Sequence, residues 1–206
     1  EQIVNDKIIL EKIKIHAKSV GEDEILNRTS NYYFDVSRSG EAGETLPTAL
    51  IYSDANSGIV LPYEIGWSHY DSVIDNEPDS PGFGQSIAYG APGMKVTVYV
   101  YDRKMKDIPE DVESLVVRKE FAKSVSEIET YNPDMEALSD VNATQDILYQ
   151  EFDSGEYYSI LSLSSVRNKF IKLRASHVKH PIFTGPMEQT LEAFNEVVRI
   201  NKKNNK

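Results

Sequence analysis

A chain of 206 residues, 40% of them hydrophobic, suits one domain with a substantial core, and no window holds the roughly 18 uninterrupted apolar residues a membrane-spanning helix needs. Its 22 basic and 33 acidic residues leave a net charge of −11, which repels phosphate backbones and argues against nucleic-acid binding. There is no cysteine, so disulfides, thiolate catalysis and thiolate zinc sites are excluded.

Residues 1–26 scatter Ile8, Ile9, Leu10, Ile13 and Ile15 among charges in a spacing that fits either a helix or an alternating strand, and 1–30 reads as an N-terminal arm or helix. The chain begins at Glu1 and not at Met, which points to removal of a secretion signal or to trimming. Tyr32 to Val36 is a predicted strand, followed by a Gly-rich loop from Ser39 to Pro47. Ala49 to Tyr52 and Ile59 to Leu61 are strands flanking the turn Asp54 to Gly58. Pro62 to Gly84 reads as an aromatic and acidic connection. Gln85 to Tyr89 and Met94 to Tyr101 then form a predicted hairpin around Gly90 to Gly93. In its second arm Val96, Val98 and Val100 share one face, while Lys95, Thr97, Tyr99 and Tyr101 share the other.

Asp107-Ile108-Pro109-Glu110 carries the marks of a helix start: an Asp cap, Pro in the first turn and Glu three residues on. Val117, Phe121, Val125 and Ile128 form one apolar stripe; Val112, Leu115 and Val116 lie off it, which predicts first turns buried on two sides. Tyr131-Asn132-Pro133 ends the helix. Three alternating runs follow, Asp146 to Phe152, Glu156 to Leu163 and Lys169 to Ala175, separated by Asp153 to Gly155 and by Ser164 to Asn168. Period-two alternation with short turns predicts an antiparallel meander with one face buried. A second helix opens at Gly185-Pro186 and carries Met187, Leu191, Phe194 and Val198, before a polar tail, 202–206, that is expected to fray.

This order predicts the α+β class: a single domain over 31–201, built as an antiparallel sheet covered by two main amphipathic helices. Strands do not alternate regularly with helices, so a doubly wound α/β fold is disfavoured. The pattern Phe170-Ile171-Lys172-Leu173-Arg174 ahead of a C-terminal amphipathic helix resembles the Mog1/PsbP-like fold. So does Val98-Tyr99-Val100-Tyr101-Asp102 leading through Ile108-Pro109 into a helix. The resemblance covers roughly residues 45 to 200 and implies a sandwich fold and an exported compartment, with no functional residue carried over.

Among chemical constellations, Leu61 to Tyr70 holds the only Trp, and Tyr63, Trp67, His69 and Tyr70 are the candidate contact residues for a ligand or partner, because rigid amphipathic rings bury area at low entropic cost. The competing reading makes Trp67 a core residue beneath a long loop. Asp75, Glu77 and Asp79 have the first spacings of a calcium loop, but the positions requiring Gly and Glu are Ser80 and Ser86, so a solvated acidic loop is expected. Gly82-Phe83-Gly84 lacks the third glycine of a dinucleotide fingerprint, that position being Ile87, and reads as a turn. His177 and His180 have metal-ligand spacing only on a helix, which Pro181 opposes; His16 and His69 could join them only through folding. Lys169, Lys172 and Arg174, with Lys202, Lys203 and Lys206, are the only basic clusters and read as a solvated strand face and a tail. No nucleophile elbow or HExxH helix is present.

The expectation is an exported, periplasmic or secreted, non-enzymatic domain, lipid-anchored or free, that binds a protein partner or small ligand without cofactor or metal. The alternatives are a hydrolase whose acid/base pair is assembled from dispersed residues, and an accessory subunit with an exposed apolar patch.

Overall fold

The computed structural model describes residues 50–53, 57–179 and 185–203; for 50–53 and 186 only the backbone is described. The N-terminal arm, the Tyr32 to Val36 strand, the Gly-rich loop, His16 and His180 lie outside the described residues. The elements are β1 (Leu50–Ser53), β2 (Val60–Pro62), β3 (Glu64–Ile65), β4 (Ser68–Asp75), β5 (Gln85–Ala91), β6 (Met94–Tyr101), helix α1 (Leu115–Tyr131), β7 (Glu136–Ala137), β8 (Asn142–Ala143), β9 (Leu148–Asp153), β10 (Tyr157–Val166), β11 (Lys169–Val178) and helix α2 (Pro186–Lys203). The main sheet runs β3-β4-β5-β6-β11-β10-β9-β7, with β8 also on β9, while β1 and β2 pair separately. Every pairing is antiparallel.

The meander and both helices form as the alternation and the apolar stripes dictate, but the burial is two-sided. Val96, Val98 and Val100 of β6, Ile171, Leu173 and Ala175 of β11 and Ile160 of β10 meet Phe194, Val197 and Val198 of α2 in one core. Tyr101, Phe170, Leu161, Leu163, Leu148 and Phe152 meet Val117, Phe121 and Ile128 of α1 in a second. One helix therefore lies on each face of the sheet, where the sequence suggested a single buried face. Burying a large apolar side chain contributes about 1.5–3 kcal/mol, so two cores of this size anchor both helices.

Four other readings change. The connection from Pro62 to Gly84 contains β3 and all of β4; a bulge between Tyr70 and Ser72 breaks the period-two pattern and hides the strand. Helix α1 starts at Leu115, not near Asp107: Ile108 and Val112 are held in the core ahead of it, and Ser114 caps it by accepting the Val117 N–H at 3.4 Å. Leu115 is in consequence 67% exposed, not buried. Strand β10 continues through Val166 because its serines are not loop residues. Ser162 and Ser164 donate to the carbonyls of Leu148 (3.0 Å) and Asp146 (2.6 Å), and Ser165 donates to that of Pro109. The turn left between β10 and β11 is Arg167-Asn168, both in the left-handed region. Arg167 tolerates that conformation because its guanidinium donates to the Gly58 carbonyl (2.6 Å) and its backbone N–H to Glu110 (3.0 Å). Finally, α2 extends through Lys203, and Lys202 meets Asp146 at 3.3 Å, so the tail is helical at its start.

Asn201 of α2, fully buried, accepts the N–H of Val60 and donates to its carbonyl, both at 2.8 Å, supplying edge strand β2 with the partner a neighbouring strand would give.

Candidate functional site

The segment Tyr63 to Tyr70 forms the β3–β4 edge of the sheet and its turn. Gly66 stands at φ 59° with room for nothing but hydrogen: a Cβ there would lie 2.9 Å from the Thr190 Cα of α2. This contact seats the turn against the first turns of α2. Trp67, the next residue, donates its indole N–H to the Gln189 carboxamide and leaves its ring 45% exposed. Trp67 is thus a fixed, half-exposed ring, which removes the reading that made it a core residue.

The four candidate residues do not form one cluster. The Tyr63 and His69 rings lie 5.8 Å apart, and His69 Nδ1 is 3.2 Å from Glu64 Oε1, on an exposed pair. Partial burial, with the Glu64 carboxylate adding to it, lifts the Tyr63 hydroxyl above its usual titration range. Tyr70 instead packs edge-on against Tyr89 at 6.3 Å on the core side, where the Tyr89 hydroxyl donates to the Pro62 carbonyl at 3.0 Å. Trp67 and His69 are the members exposed at the surface, and Tyr63 and Tyr70 are partly buried. Glu64, Gln189 and Thr190 complete the arrangement; the last two are about 120 positions away, and nothing in local spacing signals them.

The same end of the sheet carries more exposed apolar area. Val178 is 41% exposed and its N–H donates to the Gly93 carbonyl in the β5–β6 turn. Tyr157, its register partner, and Tyr158 beside it are also half-exposed. Lys179 sits 4.6 Å above the Tyr158 ring and pairs with Asp153 at 2.6 Å. That ammonium, helped by the Gly155 N–H, holds the Asp153 carboxyl below its ordinary range.

Other sequence constellations resolve differently. Glu77 accepts the N–H groups of Gly82 (3.0 Å) and Gly84 (2.7 Å), so the acidic loop is organised by its own backbone and the glycines serve a turn. Among the described residues no three His, Asp or Glu side chains gather as a metal site. His177 is buried on β11, whereas His69 is exposed on β4, three strand spacings away, or about 14 Å. They do not share an acid/base site.

A denser charge cluster lies where α1 meets β6 and β11. Tyr101 donates to Glu120 at 2.9 Å, and Arg103 reaches Glu120 at 3.0 Å and Glu127 at 3.5 Å. Burial, then the Glu120 charge, drives the Tyr101 hydroxyl far above its normal range. Arg103 also covers the Phe83 ring at 4.1 Å. Nearby, Asp102 pairs with Lys169 at 2.8 Å; burial alone would raise its carboxyl, but the ammonium and the Lys104 N–H outweigh that and lower it.

No protein-family model matches the chain, and no curated protein matches it. Among solved structures, the chain is similar to cyanobacterial PsbP (CyanoP) from Synechocystis sp. PCC 6803, at 18% identity and a TM-score of 0.40, over 79% of this chain and 96% of that one. This is the group that the Val98 to Asp102 and Phe170 to Arg174 patterns resemble. No site residue is carried across.

Proposed function

We propose that this chain is a non-catalytic accessory domain of the cell envelope that docks a protein partner through the β3–β4 edge. The observation that carries the reading is Trp67: a large ring held by Gly66 and Gln189, yet 45% exposed. A preorganised aromatic at a surface binds without the entropic cost of ordering a mobile side chain, which is the property of an interface anchor. Tyr63 and His69 flank it, and Tyr157, Tyr158 and Val178 extend the apolar surface along the same end of the sheet. The export part of the proposal rests on the acidic composition and the absence of thiols, and fractionation of the producing cells tests it separately.

The docking test places a photo-crosslinking residue at position 67 in the full chain, expressed in its own cells, with the same residue at Tyr131 as the control. Tyr131 is 81% exposed on α1, which packs on the opposite face of the sheet from α2, the helix that holds Trp67. The expected result is a discrete protein adduct from position 67 and none from 131, with Trp67→Ala losing co-purification of that protein while still unfolding cooperatively. Equal adducts at both positions, or a Trp67→Ala chain that does not fold, overturns the assignment.

A further inference from the structure

Among the described residues, α1 covers only part of the face of the sheet that it occupies. Helix α1 packs its apolar residues over β9 and β10, through Leu148, Phe152, Leu161 and Leu163, and reaches Tyr101 and Phe170 at the ends of β6 and β11. The rest of that face, on β4, β5, β6 and β11, carries Ile74, Ser86, Ala88, Lys95, Thr97, Tyr99, Lys172 and Arg174, none of them fully buried. Register places them in one patch: Ile74 opposite Ser86, Ser86 opposite Tyr99, Tyr99 opposite Lys172, and Thr97 opposite Arg174.

Three cations stand in this patch of a chain whose net charge is −11. Among the described residues none of Lys95, Lys172 and Arg174 has a carboxylate within ion-pairing distance. Arg103, by contrast, is taken up by Glu120 and Glu127. Lys172 is the sharpest case. Its ammonium lies 4.9 Å from the Tyr99 ring centre and 5.3 Å from that of Tyr101, and 3.4 Å from the Ser124 hydroxyl. Burial lowers its pKa; Glu127 and Glu120 act to raise it, and Arg103 and Arg174 lower it further. Lys172 and Arg174, two apart on β11, have Cα atoms about 7 Å apart, and Lys95 is the diagonal neighbour of Arg174 across β6. Like charges at this spacing repel, and an oxyanion between them would relieve that repulsion. Beside them Tyr99, Ala88 and the 60% exposed Ile74 offer an apolar shelf.

We infer that the open half-face is a binding site for a small soluble organic carboxylate: its carboxylate is taken by Lys172, Arg174 and Lys95, and its apolar body rests on Tyr99, Ala88 and Ile74. Arg174 supplies the planar two-point donor that a carboxylate matches, and the lysines supply point charges. This site is separate from the Trp67 edge and does not depend on it.

The test is a titration of the full chain, followed by amide NMR, with 2-naphthoate, with the neutral 2-naphthylmethanol and with inorganic phosphate. The expected result is saturable shifts at the amides of Thr97, Tyr99, Lys172 and Arg174 with 2-naphthoate, and at least 10-fold weaker response to the other two. R174Q and K95Q each weaken 2-naphthoate binding 3- to 10-fold; Lys95 is exposed, so K95Q keeps the fold whatever happens at Arg174. Absence of saturation at millimolar 2-naphthoate, shifts mapping elsewhere, or equal response to the neutral compound overturns the site. Binding to anionic phosphatidylglycerol vesicles or to a poly-glutamate peptide with no 2-naphthoate response also overturns it, since the occupant would then be a surface or a chain.

Discussion

The two faces of the sheet solve the same backbone problem in different ways. Against α2, strands β5, β6, β11 and β10 present mostly buried apolar residues, and Phe194, Val197 and Val198 pack over them. Against α1, apolar residues from β9 and β10 form the core with Tyr101 and Phe170 at the ends of β6 and β11, and among the described residues the rest of the face is only partly buried and carries three cations. On β6 the contrast falls within one strand: Val96, Val98 and Val100 are buried, while Lys95 and Thr97, one residue to either side of Val96, face outward. Among the described residues the sealed face buries the larger of the two cores, while the other half-face and the β3–β4 edge keep polar and aromatic side chains partly exposed.

Four substitutions sharpen this contrast. Phe194→Ala, removing a fully buried ring from the sealed face, is expected to cost about 3–5 kcal/mol in urea unfolding. Thr97→Ala on the open half-face should cost under about 1 kcal/mol in the same assay. A comparable loss at both positions would erase the distinction between the faces. Asn201→Ala strips β2 of its surrogate partner at both Val60 backbone groups and is expected to cost about 2–3 kcal/mol, visible as a lower urea midpoint. Gly66→Ala should cost roughly 1–3 kcal/mol, because the methyl meets Thr190 and the backbone is left-handed; it should also shift the fluorescence of Trp67, the sole Trp.

A pH-dependent effect concerns Asp102 and Lys169, both less than a third exposed. The folded Asp102 carboxyl titrates below its unfolded value, so its contribution is present above about pH 4 and is lost as pH falls through the lower, folded value. Lys169→Gln is expected to lower stability by about 1 kcal/mol near neutrality, with the difference from the parent closing as the pH drops below about 4. A gap that persists into strong acid would assign the loss to packing and not to the ion pair.

Much of the architecture was readable from alternation and stripes. The β5–β6 hairpin, the meander and both helices follow from side-chain period alone, because burying one set of side chains forces a single register. Reading failed where polar residues are buried or a pattern is interrupted. Ser164 and Ser165 look like loop residues until the carbonyls of Asp146 and Pro109 stand opposite them. The bulge at Tyr70 to Ser72 hid β4, and the helix start of α1 was set by Ile108 and Val112 entering the core ahead of the cap.

The candidate sites divide along the same line. Aromatic crowding at Tyr63, Trp67, His69 and Tyr70 was legible; which of the rings face outward was not, because Tyr70 turns to Tyr89 and Trp67 is fixed by Gln189 across the fold. Lys172 and Arg174 were legible as a basic strand face, but their lack of carboxylate partners among the described residues depends on where α1 and Arg103 direct Glu120 and Glu127. Local sequence determines the period of each strand and helix, since that depends on neighbours within a few residues. Which charges are satisfied and which faces stay open is decided only when elements far apart in the chain pack, because Coulombic and desolvation energies depend on distance in space.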